Sequence, residues 1–214
     1  ANPDSGPDFS VPAIGCAGNI LNLTFLSLEN ILDKISNHIM SNTILTDVGS
    51  AKLNVVNICS KFKNAKFHIL PAHPIAGTEK SGPESGFAEL FNKRWCVITP
   101  MGQNDNKSLN KLKKLWKNFG SKVQIMSAKN HDKILAITSH MPHLISYSIV
   151  SSSLNVNAKE KSQIIKFSAG GFRDFTRIAA SDAVMWRDIF LNNKTNLLKI
   201  IKEFEKSLNL LKTY

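Results

Sequence analysis

Cysteine is scarce in this chain: Cys16, Cys59 and Cys96 are three residues in 214, widely spaced and with no CxxC pair among them. That excludes a disulfide framework and a ribbon-type zinc site, and it fits a reducing cytoplasm. No apolar run approaches the roughly 18 residues of a membrane-spanning helix, and the opening ANPDSGPDFS lacks the basic segment of a secretory signal. A membrane partner and export are therefore not expected. No GxGxxG follows a strand, since Gly15-Cys16-Ala17-Gly18 has neither the spacing nor the setting to cradle a pyrophosphate. Acidic residues are outnumbered 16 to 27, giving a net charge of +11. A field of that sign attracts nucleic acid or small anions. The lysines, however, are scattered among asparagines and are not interleaved with aromatic stacking platforms, so no nucleic-acid partner is expected.

Arginine is also rare. Of the four, Arg94, Arg173, Arg177 and Arg187, three fall within fifteen residues of one another. Where lysine supplies most of the positive charge, arginine marks places that need a planar, two-pronged donor, typically for a carboxylate. Internal pairing with Asp174, Asp182 or Asp188 is the competing use, and both are expected.

What is present falls into two parts. Residues 1–28 carry Pro, Gly, Asp and Asn without a period and read as irregular, or as an eroded strand and turn. From Glu29 the pattern alternates: a helix near 29–40, a strand over TILTDV, a helix near 51–63, a strand over KFHILPA, a strand over RWCVITP, a helix from Asn106 to Phe119 and a strand over KVQIM. This is an α/β pattern, the later part of a mostly parallel, helix-covered sheet ending near residue 127. Residues 128–214 carry only helical signals, with an apolar first helix expected to be buried on all sides. Leu197, Ile201, Phe204, Leu208 and Leu211 recur at helical spacing near the end, a stripe suited to dimerisation or to packing within the chain.

Four constellations carry chemistry. Thr46-Asp47-Val48-Gly49-Ser50-Ala51-Lys52 ends a strand and begins a helix, placing Ser50 near the helix N-cap at the carboxyl edge of the sheet, where such sheets bind ligands. His73-Pro74-Ile75-Ala76-Gly77-Thr78-Glu79-Lys80 follows the next strand at the same edge, and a histidine there has the right pKa to act as a base near neutral pH. Ser139-His140-Met141-Pro142-His143 puts a proline inside the apolar helix, where it bends the segment and aims histidines at a cavity. It makes a poor metal site, lacking an acidic partner, and no metal is expected. Gly170-Gly171-Phe172-Arg173-Asp174-Phe175-Thr176-Arg177 reads as a tight turn presenting Asp174 and Arg177 from between packed phenylalanines.

Together, TDVGSAK, HPIAGTEKSGPESGFAELFNKRWCVITP, SHMPHLI and GGFRDFTRIAASDAVMWRDIFLNN resemble the prephenate dehydrogenase family, in order and at fitting separations, from about residue 29 to the C-terminus. The resemblance implies an incomplete Rossmann-type nucleotide-binding domain over 1–127 and an all-α helical substrate-binding and dimerisation domain over 128–214. It implies oxidative decarboxylation of prephenate to 4-hydroxyphenylpyruvate with NAD or NADP in tyrosine synthesis, by a cytoplasmic homodimer joined through its C-terminal helices. By the same resemblance His73 is the catalytic base and Ser50 orients the substrate hydroxyl and the cofactor. Arg177 binds a substrate carboxylate, with Asp174 beside it; His143 and Thr78 line the pocket, and Glu79 stands at its entrance. Thr46, Asp47 and Ser50 are expected near the cofactor. Arogenate is an alternative substrate, and a non-catalytic dimerisation remnant an alternative role. The family's Gly-rich loop is expected to lie outside this sequence, so that the polypeptide alone binds dinucleotide weakly or not at all.

Overall fold

The computed structural model describes residues 20–23, 28–76, 86–102 and 106–214, and its two units divide at Ser127. In the first unit the order is β1 (Ile20–Leu23), α1 (Leu28–Ile35), β2 (Ile44–Asp47), α2 (Leu53–Cys59) with a 3-10 turn at Ser60–Phe62, β3 (His68–Ile69), β4 (Ala72–Ile75), β5 (Trp95–Ile98), α3 (Asn106–Asn118) and β6 (Lys122–Ile125). Strand β2 is buried along its whole length. Successive side chains on a strand face opposite ways, so Leu45 packs with Leu32, Val55 and Cys59 while Ile44 packs with Leu70, Cys96 and Leu112. Helix α1 contributes Leu28 and Leu32, one turn apart, with Glu29 in its first turn and Lys34 in its last, each charge suited to the helix dipole. Helix α3 buries Leu112 and Trp116, and the Trp116 ring meets Phe91 edge-on at 5.3 Å.

Among the described residues the strands are mostly parallel, as expected, but divide into two three-stranded sheets, ordered β1-β2-β3 and β4-β5-β6. β1, β2 and β3 are parallel, and so are β5 and β6, but β4 runs antiparallel to β5. The segment read as the single strand KFHILPA breaks at Pro71, which has no N–H to donate to a ladder. Pro74 is tolerated in β4 because that strand lies at the edge of its sheet. The strand at Ile20–Leu23 lies within the segment expected to be irregular, and its parallel pairing with β2 is the eroded-strand alternative.

The second unit consists of α4 (Ala128–Leu135), a π-helical turn at Ala136–His140, α5 (Met141–Leu154), α6 (Ala158–Lys166), α7 (Gly170–Ala179), α8 (Ala183–Asn192) and α9 (Lys194–Leu211). Pro142 explains the π turn: its missing N–H disrupts ordinary helical pairing, and Met141 N–H instead reaches back to Ala136 C=O. Helix α6 starts with a reciprocal cap between Asn157 and Glu160, and α8 with Asp182 accepting from Met185 N–H at 2.7 Å.

Two expectations are corrected here. Along α5 only Met141 and Ser146 are buried, so the apolar helix is not enclosed on all sides within one chain. Residues 170–177 form no tight turn but open α7, where a Cβ at Gly170 or Gly171 would meet nothing within 4 Å. The aromatic and charged alternation there is a helical period, with Phe172, Thr176 and Ala179 on the half-buried face toward α5.

Candidate active site

Strand β2 ends at Asp47, and the chain turns through Gly49 and Ser50 before α2 begins at Leu53. The N-cap of α2 is Lys52, with no side-chain cap bond, and Ser50 lies two residues before it, near the N-cap as expected but not capping the helix. Asp47 holds the turn instead: its Oδ2 accepts the Gly49 N–H at 2.8 Å and also the Lys52 ammonium. Its Oδ1 accepts the Ala72 N–H at 3.2 Å, while Lys52 Nζ donates to the Ala72 carbonyl at 2.8 Å. Thr46 is buried, its hydroxyl turned back to the carbonyl of Asp47. Of the three residues expected near the cofactor, Thr46 and Asp47 therefore make contacts within the chain itself, Asp47 through both carboxylate oxygens. Ser50 is half-buried at the head of the turn, and His73 is buried in β4 directly after Ala72.

Lys52 was not singled out from the sequence, yet it is fully buried and ion-paired. The available cue was an Asp at the strand end five residues before it. Two buried thiols flank this pair in the two core clusters. Burial pushes Cys59 up to about 12, Asp47 reinforcing and Lys52 opposing, and pushes Cys96 up to about 12 against the opposing charge of Lys52. Neither is a nucleophile in the folded chain.

In the second unit the side chains of α5 and α8 form an aromatic seam. His143 stacks on Trp186 at 3.5 Å between ring centroids, and Tyr147 meets Phe190 edge-on at 6.4 Å. His143 Nδ1–H donates to the Ser139 carbonyl at 2.9 Å, which leaves Nε2 as the acceptor in the neutral ring. Burial lowers the pKa of His143, partly opposed by that bond, so the neutral acceptor form prevails at neutral pH. Tyr147 donates to the Ser181 carbonyl at 2.9 Å, and burial, with Asp182 adding to it, raises its pKa. Trp186 and Tyr147 were not identified from the sequence, although their helical spacing from Phe190 and His143 carries the signal.

Behind the seam lies a buried polar network. Asn193 Nδ2 donates to the Asp132 carbonyl at 2.7 Å and to His140 Nδ1 at 3.0 Å, and His131 Nδ1 donates to Asp132 Oδ1 at 2.8 Å. Arg177 stands exposed on α7 with Asp174 at 3.8 Å, and Arg187 pairs with Asp188 at 2.8 Å. Of the expected site residues, Ser50, His73, Thr46 and Asp47 lie in the first unit, and His143, Asp174 and Arg177 in the second. Thr78 and Glu79 lie outside the described residues.

An α/β unit with a serine in the turn after the parallel strand β2 and a histidine within the edge strand β4, followed by an all-helical unit, fits the layout of a two-domain nucleotide-dependent enzyme. Residues 24–125 match the family model for the prephenate dehydrogenase nucleotide-binding domain, and residues 127–214 match that for the prephenate dehydrogenase dimerization domain. The chain is 38% identical over 173 residues to the cyclohexadienyl dehydrogenase of Zymomonas mobilis, covering 80% of this chain and 58% of that protein. It is 33% identical over 192 residues to the prephenate dehydrogenase of Bacillus subtilis, covering 89% and 50%. The crystal structure of the Aquifex aeolicus prephenate dehydrogenase in complex with hydroxyphenyl propionate and NAD+ superposes with a TM-score of 0.81 at 37% identity, over 91% of this chain and 67% of that one. The chain belongs to the prephenate dehydrogenase family. It spans 58% and 50% of the length of the two curated relatives above.

Proposed function

We propose that the complete protein oxidises prephenate with NAD or NADP, releasing the ring carboxylate as carbon dioxide and giving 4-hydroxyphenylpyruvate for tyrosine synthesis. The observation that carries this reading is the buried His73, placed one residue beyond the end of a hydrogen-bonded lattice that also closes the Ser50 turn. The nicotinamide, when bound, supplies the hydride acceptor. His73 takes the proton of the ring hydroxyl as the carbinol carbon loses hydride, and Ser50 orients that hydroxyl. The bond to the ring carboxylate breaks, and its electron pair completes the aromatic ring. Arg177 supplies the two-pronged donor for a carboxylate, and the neutral His143 offers Nε2 as an acceptor. Thr78 and Glu79 are the further substrate-binding residues of this proposal. The end of β2 and the Ser50 turn fit the nicotinamide side of a dinucleotide, while the sequence offers no Gly-rich loop for its pyrophosphate.

The protein acts as a homodimer through its helical unit, a reading supported by the exposed Ile165, Phe167, Leu191 and Leu211. No described helix is long and apolar enough to cross a membrane. A cytoplasmic location completes the proposal, with Cys59 and Cys96 both free. The test is to supply prephenate or arogenate with either cofactor and follow nicotinamide reduction together with carbon dioxide release. Stoichiometric reduction and release from prephenate is expected. Absence of both with prephenate would overturn the proposal.

A further inference from the structure

The rungs between β2 and the segment that follows β3 advance by two residues: His68 N–H donates to Thr43 C=O at 2.8 Å, and Leu70 N–H to Leu45 C=O at 2.9 Å. The next rung in a parallel ladder would join Ala72 N–H to the Asp47 carbonyl, and Gly49 N–H to the Ala72 carbonyl. Neither forms. Ala72 N–H goes to the Asp47 carboxylate, Gly49 N–H goes to the same carboxylate, and the Ala72 carbonyl receives Lys52 Nζ. On its other side, Thr99 N–H donates to the Pro71 carbonyl at 2.8 Å. In the antiparallel pairing with β5 this makes Pro71 opposite Thr99 the bonded pair and Ala72 opposite Ile98 the unbonded one, so the polar groups of Ala72 face β2. Two charged side chains thus occupy one rung of the ladder. They hold β2 and β4 apart while satisfying three of the backbone groups that the separation strands, the Ala72 N–H, the Ala72 carbonyl and the Gly49 N–H.

The residues on either side of that wedge are Ser50, within the turn that Asp47 and Lys52 close, and His73, directly after Ala72. We propose that the buried Asp47–Lys52 pair is the positioning device of the active site, setting the separation and orientation of His73 relative to Ser50. The inference rests on the reading of His73 as the base. Three observations stand behind it. The pair is buried, with side-chain exposures of 0% for Lys52 and 3% for Asp47. A buried ion pair is a poor source of stability compared with apolar packing, so its presence calls for a role in geometry. It also binds both polar groups of the one residue that precedes His73.

The test reads the imidazole of His73 directly and needs no turnover, so it stands or falls apart from the enzymatic assignment. The protein is labelled at histidine Cε1 and its pH titration followed by NMR, with the His73 signal assigned by its loss in His73→Asn. The double variant Asp47→Asn/Lys52→Met removes the pair without leaving one buried charge alone. Leu32→Ala serves as a control that loosens the same unit from the far core cluster. The expected result is a His73 signal that moves, or splits into two, with a titration midpoint shifted by about half a pH unit or more, while His38 and His68 keep their wild-type curves. A His73 curve superimposable on wild type in the double variant would overturn the proposal. So would an equal displacement in Leu32→Ala, since the effect would then be general loosening.

Discussion

In the α/β unit the buried charges of Asp47 and Lys52 sit where a strand ladder is wedged open, whereas in the helical unit His131, Asp132, His140 and Asn193 sit beside a helix that widens at a proline. Both clusters repair backbone irregularity, but with different chemistry. Ladder groups in the first unit are met by a carboxylate and an ammonium, while in the second a carbonyl and an imidazole are met by a neutral amide. Irregular backbone beside a site persists only where the surrounding side chains over-determine it. The two units also differ in apolar closure. Strand β2 is covered on both faces by core clusters, yet α5 buries only Met141 and Ser146, and Ile165 and Phe167 remain about three-quarters exposed. Among the described residues the first unit encloses β2 within its own core, whereas the helical unit leaves Ile165 and Phe167 uncovered.

The comparison breaks most visibly at Leu32, which is fully buried against β2. Leu32→Ala is expected to cost about 2–5 kcal/mol, read as lost hydrogen-exchange protection in β2 and α1 that does not depend on protein concentration. Protection in α5 is expected to rise with concentration, as association requires. Asn193→Ala comes next, since it strands the Asp132 carbonyl and His140 Nδ1 and should cost about 1–3 kcal/mol for each buried group left unpaired, measured by urea unfolding. Asp182→Ala removes only the cap of α8 and should cost about 1 kcal/mol in the same measurement.

The smallest effect is that of pH. Because the folded pKa of His143 lies below its ordinary value of 6.5, the unfolded chain takes up a proton that the folded chain resists. The stability His143 contributes is complete above pH 6.5 and is lost as pH falls through the lower folded value. The melting temperature should therefore decline on acidification below 6.5 less steeply in His143→Gln than in wild type. Parallel declines would remove the assigned neutral form.

Much of the α/β unit was legible because short apolar strand runs and period-3.6 helices alternate there, as in Ile44–Asp47 and Asn106–Asn118. His73, expected just after a strand, instead lies inside β4, because the chain resumes pairing with β5 after the break at Pro71. The break at Pro71 was harder, because one proline in an extended run marks either a terminus or an edge, and only the register decides. Gly170-Gly171 signals a turn locally, as paired glycines do, while α5 lines the half-buried face of α7 and favours the helix. The role of Lys52 is hidden in the sequence because a lysine in a lysine-rich chain reads as solvated. Its burial follows from a carboxylate and a carbonyl that only the fold brings together.

The central claim is that His73 is the base in oxidation of the ring hydroxyl. Steady-state turnover of prephenate by the complete protein, compared with His73→Asn, tests it most directly. A positioned general base is worth about 10²- to 10⁴-fold, so kcat should fall by about that factor with KM little changed. A variant that turns over within about threefold of wild type, less than 1 kcal/mol of barrier, would contradict the account.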